Sequence, residues 1–389
     1  MSASNAESSP IVPAREAMTF LVSLIGLVVL SVSTGCGGGS TTTMNNQSVA
    51  PPVAASVSAT IPVGTAPVSV AVDSTANKIY VANYGTAQTR SARCEGTGSN
   101  VMVVDGVTHS VSTVTPGEGG VNTLAVVVNP ASQSVYAIVQ TYYNLWGKGP
   151  CALASAALET VIWPQPSAGF CTLCQFGGVA INPTTGTIYL GNYYYYLGGR
   201  GLNSYVSIFS STSSWQTQAD IGLAPGVPVA MAANPATNKI YFADGTIREI
   251  DGASNTLTSF AAKVVVGGPS ALAVNSTTNK LYAADGISKV TVIEGATGAI
   301  LATIPVGVAP ASVAVDEQTN YIYVANAGNS ATGDPGSITV INGATNATAT
   351  LADANAKNPA WVAVNSTTNQ IYVANSGSNN LTVIDGAHN

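Results

Sequence analysis

Two histidines and five cysteines set narrow limits on the chemistry this chain can do. So few histidines argue against a multi-histidine metal centre. Cys94, Cys151, Cys171 and Cys174 form one group. In an oxidising compartment four such thiols read as two disulfides. Three pairings are possible. Cys94–Cys151 with Cys171–Cys174 is favoured, because Cys94 and Cys151 lie 14 and 15 residues after Tyr80 and Tyr136. Zinc is the alternative, but it usually takes a second closely spaced Cys or His pair. Haem attachment is out, since Gln175 stands where a histidine is needed. His109 sits in a turn context and His388 at the extreme C-terminus, so neither joins a plausible triad. No Gly-rich phosphate cradle follows a strand and opens a helix. No cofactor is implied.

Three segments could recognise a partner. They are YGTAQTRSARCEGTGS (84–99), TYYNLWGKGPCALAS (141–155) and YYYYLGGRGLNS (193–204). They hold Tyr84, Tyr142, Tyr143, Trp146, Tyr193, Tyr194, Tyr195 and Tyr196. They also hold Arg90, Arg93, Lys148 and Arg200, four of the twelve basic residues, against one acid, Glu95. Tyr, Trp and Arg carry most binding hot spots, and aromatic rings stack on sugars. The plain alternative is that these residues pack the loops against one another, with tyrosine hydroxyls in water.

What positions them is a repeat. One eight-residue string recurs without gaps: DSTANKIY (73–80), NPASQSVY (129–136), NPTTGTIY (182–189), NPATNKIY (234–241), NSTTNKLY (275–282), DEQTNYIY (316–323) and NSTTNQIY (365–372). The tyrosines are 56, 53, 52, 41, 41 and 49 residues apart. A period near 40 with strand-like filling marks a propeller blade. A short apolar run such as VSVAV (68–72) precedes each string and suits a buried strand. The leading Asn or Asp can cap its own turn. The fifth position is Asn77, Gln133, Gly186, Asn238, Asn279, Asn320 or Asn369, and Asn and Gly tolerate the left-handed conformation of a tight hairpin. A second strand follows, a third ends at VVDG (103–106) or VIDG (383–386), and a fourth such as AILATIPVG (299–307) closes the unit. The prediction is four antiparallel strands in each of seven blades. Ala71, Ala180, Ala232, Ala273, Ala314 and Ala363, with Val127, keep the crowded inner strands small.

The last repeat stops after its third strand, while VSATIPVG (57–64) matches the fourth strand LATIPVG (301–307). The N-terminal strand should therefore complete the last blade and leave no open edge. Against the 41-residue minimum, repeats 1, 2, 3 and 6 carry extra residues, mainly between strands 2 and 3. That builds up the face on which the links between blades also lie. Asn83, Asn192, Asp244, Asp285, Asn326 and Asn375 end the second strands. They read as turn caps, with a cation-binding ring as the alternative. GDPG (333–336) reads as a turn rather than a calcium loop.

Charged residues are only 8% of the chain, net charge is −6 and the pI is near 4.8, which excludes nucleic-acid binding driven by bulk charge. Residues 18–32 form one uncharged apolar run, short for a membrane span and right for a signal-peptide core. It ends in Ser33-Thr34-Gly35-Cys36, which resembles a bacterial lipobox with Cys36 as the lipidated residue; Ser33 departs from the usual Leu. The expected organisation is a lipoprotein-type signal peptide (1–36), a flexible Gly/Ser/Thr/Pro linker (37–55) and a seven-bladed propeller (56–389). The expected location is extracytoplasmic, lipid-anchored in a bacterial cell envelope.

The strings P-x-x-VAVD, TNKIYVAN, VIDGAT and TIPVG resemble the YVTN-repeat β-propeller family over about residues 57–389. Repeat 2 departs most, with YAIV (136–139) and no Asp-Gly turn after its third strand. The resemblance implies seven blades outside the cytoplasm and little chemistry, since fold does not fix function. Three functions remain open: a non-enzymatic scaffold that binds a protein or glycan on the loop-rich face of blades 1–3, a lactonase-like hydrolase, or a structural envelope component. Related lactonases hold calcium with channel acids, and the seven inner strands here contain no Asp, Glu or His ahead of the Asx turn.

Overall fold

Each eight-residue string folds as the tight connection of a hairpin. The computed structural model describes residues 55–85, 99–114, 122–130, 132–140, 159–162, 174–195, 202–210, 217–223, 226–258, 260 and 270–388. The fifth residue of the string is left-handed in all seven repeats. Asn77, Gln133, Asn238, Asn279, Asn320 and Asn369 have φ between 48° and 56°, and Gly186 has φ 68°. The first residue caps the turn. Asp73 Oδ1 accepts the N–H groups of Thr75 and Ala76 at 3.0 Å, and Asn234 Oδ1 accepts those of Ala236 and Thr237.

The hairpins build seven sheets around one axis. Their inner strands are Pro67–Asp73, Asn122–Asn129, Cys174–Asn182, Ala230–Asn234, Ala271–Asn275, Pro310–Asp316 and Pro359–Asn365. Each packs against the next and the last against the first, so the ring is closed. The chain is an all-β propeller. Six blades have four antiparallel strands. Blade 2 departs from the expectation: three strands are described, and the third, Glu159–Ile162, runs parallel to the second, Ser134–Gln140. A parallel neighbour needs a crossover of a dozen or more residues, and residues 141–158 supply that length. The missing Asp-Gly signal in this repeat is the sequence counterpart.

Blade 7 closes as expected. Ser56–Pro62 pairs antiparallel with Asn380–Asp385, placing Ile61 opposite Leu381. Ala55, just before this strand, is already buried. Asp353, in the link from blade 6, clamps the joint: its Oδ2 accepts the hydroxyls of Thr60 at 3.1 Å and Thr382 at 2.7 Å. Deleting residues 56–64 should therefore lower the melting temperature far more than deleting 37–52. Thermal unfolding of the two deletion variants side by side is the check, and equal values would contradict the closure.

Two polar devices join neighbouring blades. In the first, the capping Asn of one blade donates Nδ2–H to the left-handed Asn of the next. The bonds are Asn182 to Asn238 at 2.6 Å, Asn234 to Asn279 at 2.9 Å, Asn275 to Asn320 at 3.0 Å and, across the closure, Asn365 to Asn77 at 2.8 Å. The same left-handed residues lie hard against the glycine that follows each third strand. A Cβ on Gly343 would come within 2.5 Å of Asn320 Oδ1, and Gly106, Gly252, Gly295 and Gly386 are equally crowded by Asn77, Asn238, Asn279 and Asn369. None of these five glycines has positive φ, so close approach explains them.

The second device is the string's tyrosine. Tyr136, Tyr189, Tyr241, Tyr282, Tyr323 and Tyr372 are fully buried. Tyr189 donates its hydroxyl to Asn255 Oδ1 and Tyr241 to the Gly295 carbonyl, both in the next blade, while the Tyr323 hydroxyl accepts the Ala387 N–H. Burial pushes the Tyr189, Tyr282, Tyr323 and Tyr372 phenols up to about 12. Phenols with a folded pKa above the unfolded value of about 10 stabilise the fold fully below that pH. They lose that contribution as pH rises through about 12. The melting temperature should accordingly fall from pH ~10 upward, and a Tyr282→Phe, Tyr372→Phe variant should show a shallower fall.

Blade 6 breaks the amide pattern. Asp316 replaces the capping Asn, is fully buried, and leaves Oδ2 without a partner, as is Asn369 Oδ1 in blade 7. A carboxylate has no N–H to donate. Asp316→Asn should supply the missing donor and raise stability by about 1 kcal/mol. Chemical denaturation at neutral pH measures it, and a destabilised variant would contradict the junction chemistry.

Candidate functional site

The built-up face can be read from its connections. In blades 4, 5 and 7 strands 2 and 3 are joined by tight turns at 244–246, 285–288 and 376–379. In blade 1 the connection is residues 84–99, and in blade 6 it is 327–336. Blade 3 differs from the expectation of a tyrosine loop. Its second strand runs Thr187–Tyr195 and its third Leu202–Ser210, so the hairpin extends beyond Asn192. Tyr193, Tyr194 and Tyr195 are strand residues, paired with Ser204, Asn203 and Leu202. Tyrosine favours strands, and a run of them prolongs the ladder instead of opening a loop. Cys174 starts the inner strand, opposite Tyr194.

Tyr84 and Tyr193 are half-buried. Tyr84 is held by its N–H, which bonds the Ala66 carbonyl at 2.9 Å, on the edge next to blade 7. Arg90, Arg93, Cys94, Tyr142, Tyr143, Trp146, Lys148, Cys151, Cys171, Tyr196 and Arg200 lie outside the described residues, as does Cys36. The structure therefore places Tyr84 at blade 1 and Tyr193 to Tyr195 at blade 3 on the same face, with blade 2 between them.

The polar residues ending the second strands act inside their own blades. Asn326 Nδ2 donates to Ser337 and Thr339, and Asn375 Nδ2 to Asn380 and Thr382. Asn83 donates to Asn100 and Asn192 to Ser207. Asp285 Oδ1 accepts three successive N–H groups, of Ile287, Ser288 and Lys289. Asp244 forms an ion pair with Arg248 at 2.8 Å. These side chains cap turns and tie the second strand to the third. Among the described residues no group of three His, Cys, Asp or Glu could hold a metal ion. GDPG is a turn: Gly336 N–H bonds Asp334 Oδ1, and Asn358 N–H bonds the Pro335 carbonyl, tying the loop to blade 7.

His109 has φ 57° in the turn between strands 3 and 4, where blades 4, 5 and 6 carry Asn255, Gly298 and Asn346 in the same conformation. It is a turn residue. The sequence reading overlooked Asp353 and the Asp244–Arg248 pair. A lone aspartate in a link carries no pattern, whereas an Asp-to-Arg spacing of four across a tight turn is a signal that could have been found. Asp105 and Asp251 sit in the same turns, with carboxyls held below the usual range. Backbone N–H donation, from Thr108 to Asp105 and from Ser254 to Asp251, is the largest cause.

These observations define a β-propeller with one elaborated face. A chain in the crystal structure of a mitotic checkpoint complex is similar, with a TM-score of 0.59 over 92% of this chain and 99% of that one, at 12% identity. That likeness establishes the shared fold. No family model matches the chain, and no curated protein does.

His109→Gly should relieve left-handed strain of about 1 kcal/mol, and a raised midpoint in denaturant titration checks it. A lowered midpoint would mean the imidazole does more than turn the chain.

Proposed function

We propose that this protein is a non-enzymatic binding scaffold of the YVTN-repeat kind, held outside the cytoplasm by a lipid on Cys36, and that it engages a protein or glycan through the loop-bearing face of blades 1–3. One observation carries the reading: the connections between strands 2 and 3 are minimal turns in blades 4, 5 and 7, while blades 1, 3 and 6 extend theirs on the same face. A scaffold under no demand but stability has no need of that asymmetry, because the short turns already satisfy the backbone.

The composition of those segments supports recognition. Arg90, Arg93, Lys148 and Arg200 gather there in a protein of net charge −6, and packing alone gives no reason for them. Acidic partners with flat apolar surface use both the charge and the rings. The propeller neighbour belongs to a protein complex, which accords with binding as the use of the fold.

The test is capture of envelope fractions on the immobilised propeller. Trp146→Ala and Tyr194→Ala should each weaken capture by about 2 kcal/mol or more. Neutralising the four basic residues should mainly slow association and remove its salt dependence. Loss of melting temperature in the aromatic variants, with no capture by the wild type, would contradict the reading. Cys36→Ser should release the protein from the membrane fraction.

A further inference from the structure

One position of the inner strands lies four residues before the capping Asx. In six blades it is small: Ser69, Ala125, Gly178, Ala230, Ala271 and Ser312. All six are buried. The reason is visible between blades 3 and 4, where a Cβ on Gly178 would lie 3.1 Å from the Ala230 backbone. In blades 1 and 6 the serine reaches the next inner strand, with Ser69 Oγ accepting the Val126 N–H at 3.3 Å and Ser312 Oγ the Val362 N–H at 3.2 Å. The layer is thus a ring of small side chains, each against its neighbour's backbone.

Blade 7 has Trp361 at this position. It alone in the layer is only half-buried. It packs against the blade 7–blade 1 cluster that includes Val70, Leu381 and Val383. Among the described residues nothing accepts its indole N–H. Trp361 pairs with Ala374, one residue from the strand end Asn375, so it sits near the face that carries the links and the strand 2–3 connections. The exposed side chains around that end of blade 7 are Asn358, Asn379 and, in the link, Lys357, with Ser376 and Ser378 half-buried beside them, so all but Lys357 are neutral amides or hydroxyls.

We propose that Trp361 is a stacking platform for a sugar ring of a neutral oligosaccharide at the mouth of the central channel. The part of the indole left uncovered offers apolar ring surface to the C–H face of a pyranose. Its free N–H and the surrounding amides and hydroxyls match the ring's hydroxyl groups. A charged ligand finds little to pair with there. The proposal rests on the binding-scaffold reading but not on the loops of blades 1–3.

Serine is the informative replacement, because Ser69 and Ser312 occupy the same site in other blades. In Trp361→Ser, Oγ meets Val70, which corresponds to Val126 and Val362, so the fold has a ready partner for it. The wild-type propeller is titrated with cellohexaose, mannohexaose and the hexamer of N-acetylglucosamine, followed by tryptophan fluorescence and calorimetry. The expected result is binding of at least one probe with a fluorescence change. Trp361→Ser should lose about 10-fold or more in affinity with its melting temperature within about 2 °C of wild type. Trp361→Phe, which keeps a ring, should retain more affinity than the serine variant. Binding of no probe overturns the proposal. So does equal binding by wild type and Trp361→Ser, including the case where Trp146→Ala abolishes it, which would leave the blade 1–3 face standing. Should Trp361→Ser unfold, Trp361→Phe decides: unchanged affinity and unchanged fluorescence response in that variant overturn the stacking role.

Discussion

An amide hydrogen bond from one blade to the next is the interaction on which the ring depends. It links an Asn that ends one inner strand to the Asn that turns the next hairpin, and it is seen at four junctions, including the one between the last blade and the first. Its geometry requires three things at once. The donor must be Asn, buried at the strand end. The acceptor must be a residue that tolerates the left-handed region. The glycine after the third strand must leave room for it. A sheet in a propeller buries both faces against neighbours of the same kind, and apolar contact alone sets no angle between them. Directional polar contacts at the rim do, with the tyrosine hydroxyls adding a second tie between blades 3 and 4, 4 and 5, and 6 and 7.

This arrangement separates stability from recognition. The rim of strand 1–2 hairpins is committed to holding the ring, and its eight-residue string keeps one length in all seven repeats. On the opposite rim the polar residues that end the second strands bond inside their own blades, as with Asn326 and Asn375. Connections there can lengthen at little cost once the strand ends are fixed. The long connection of blade 1, the extended hairpin of blade 3 and Trp361 of blade 7 all fall on that freer side.

Much of the fold was legible because it is written seven times. The left-handed fifth position, the Asx cap, the tyrosine and the N-terminal closing strand each follow from residue chemistry plus repetition. The inter-blade amide bond was not, since Asn and Asp are equivalent as caps and only the partner blade distinguishes a donor from an acceptor. Asp316 shows this directly. The glycine of the VIDG turn reads as a turn former, yet its φ is ordinary and its role is to admit another side chain. Blade 2 was the weakest repeat in sequence and is the one whose third strand reverses direction. In the candidate site, a run of four tyrosines suggested a loop because it lies between two repeats' worth of signal. Alternation says nothing when every residue is the same, and the ladder continued to Tyr195. Trp361 was hidden by its position inside an apolar strand, where an aromatic residue looks like core.

The central claim is that Asn365 and Asn77 are coupled across the closing junction. Asn77→Gly keeps the left-handed turn, as Gly186 does in blade 3, while removing the acceptor. Asn365→Ala removes the donor. A double-mutant cycle measured by denaturant unfolding should give a coupling energy of about 1 kcal/mol. Additive losses, with no coupling, would contradict the account.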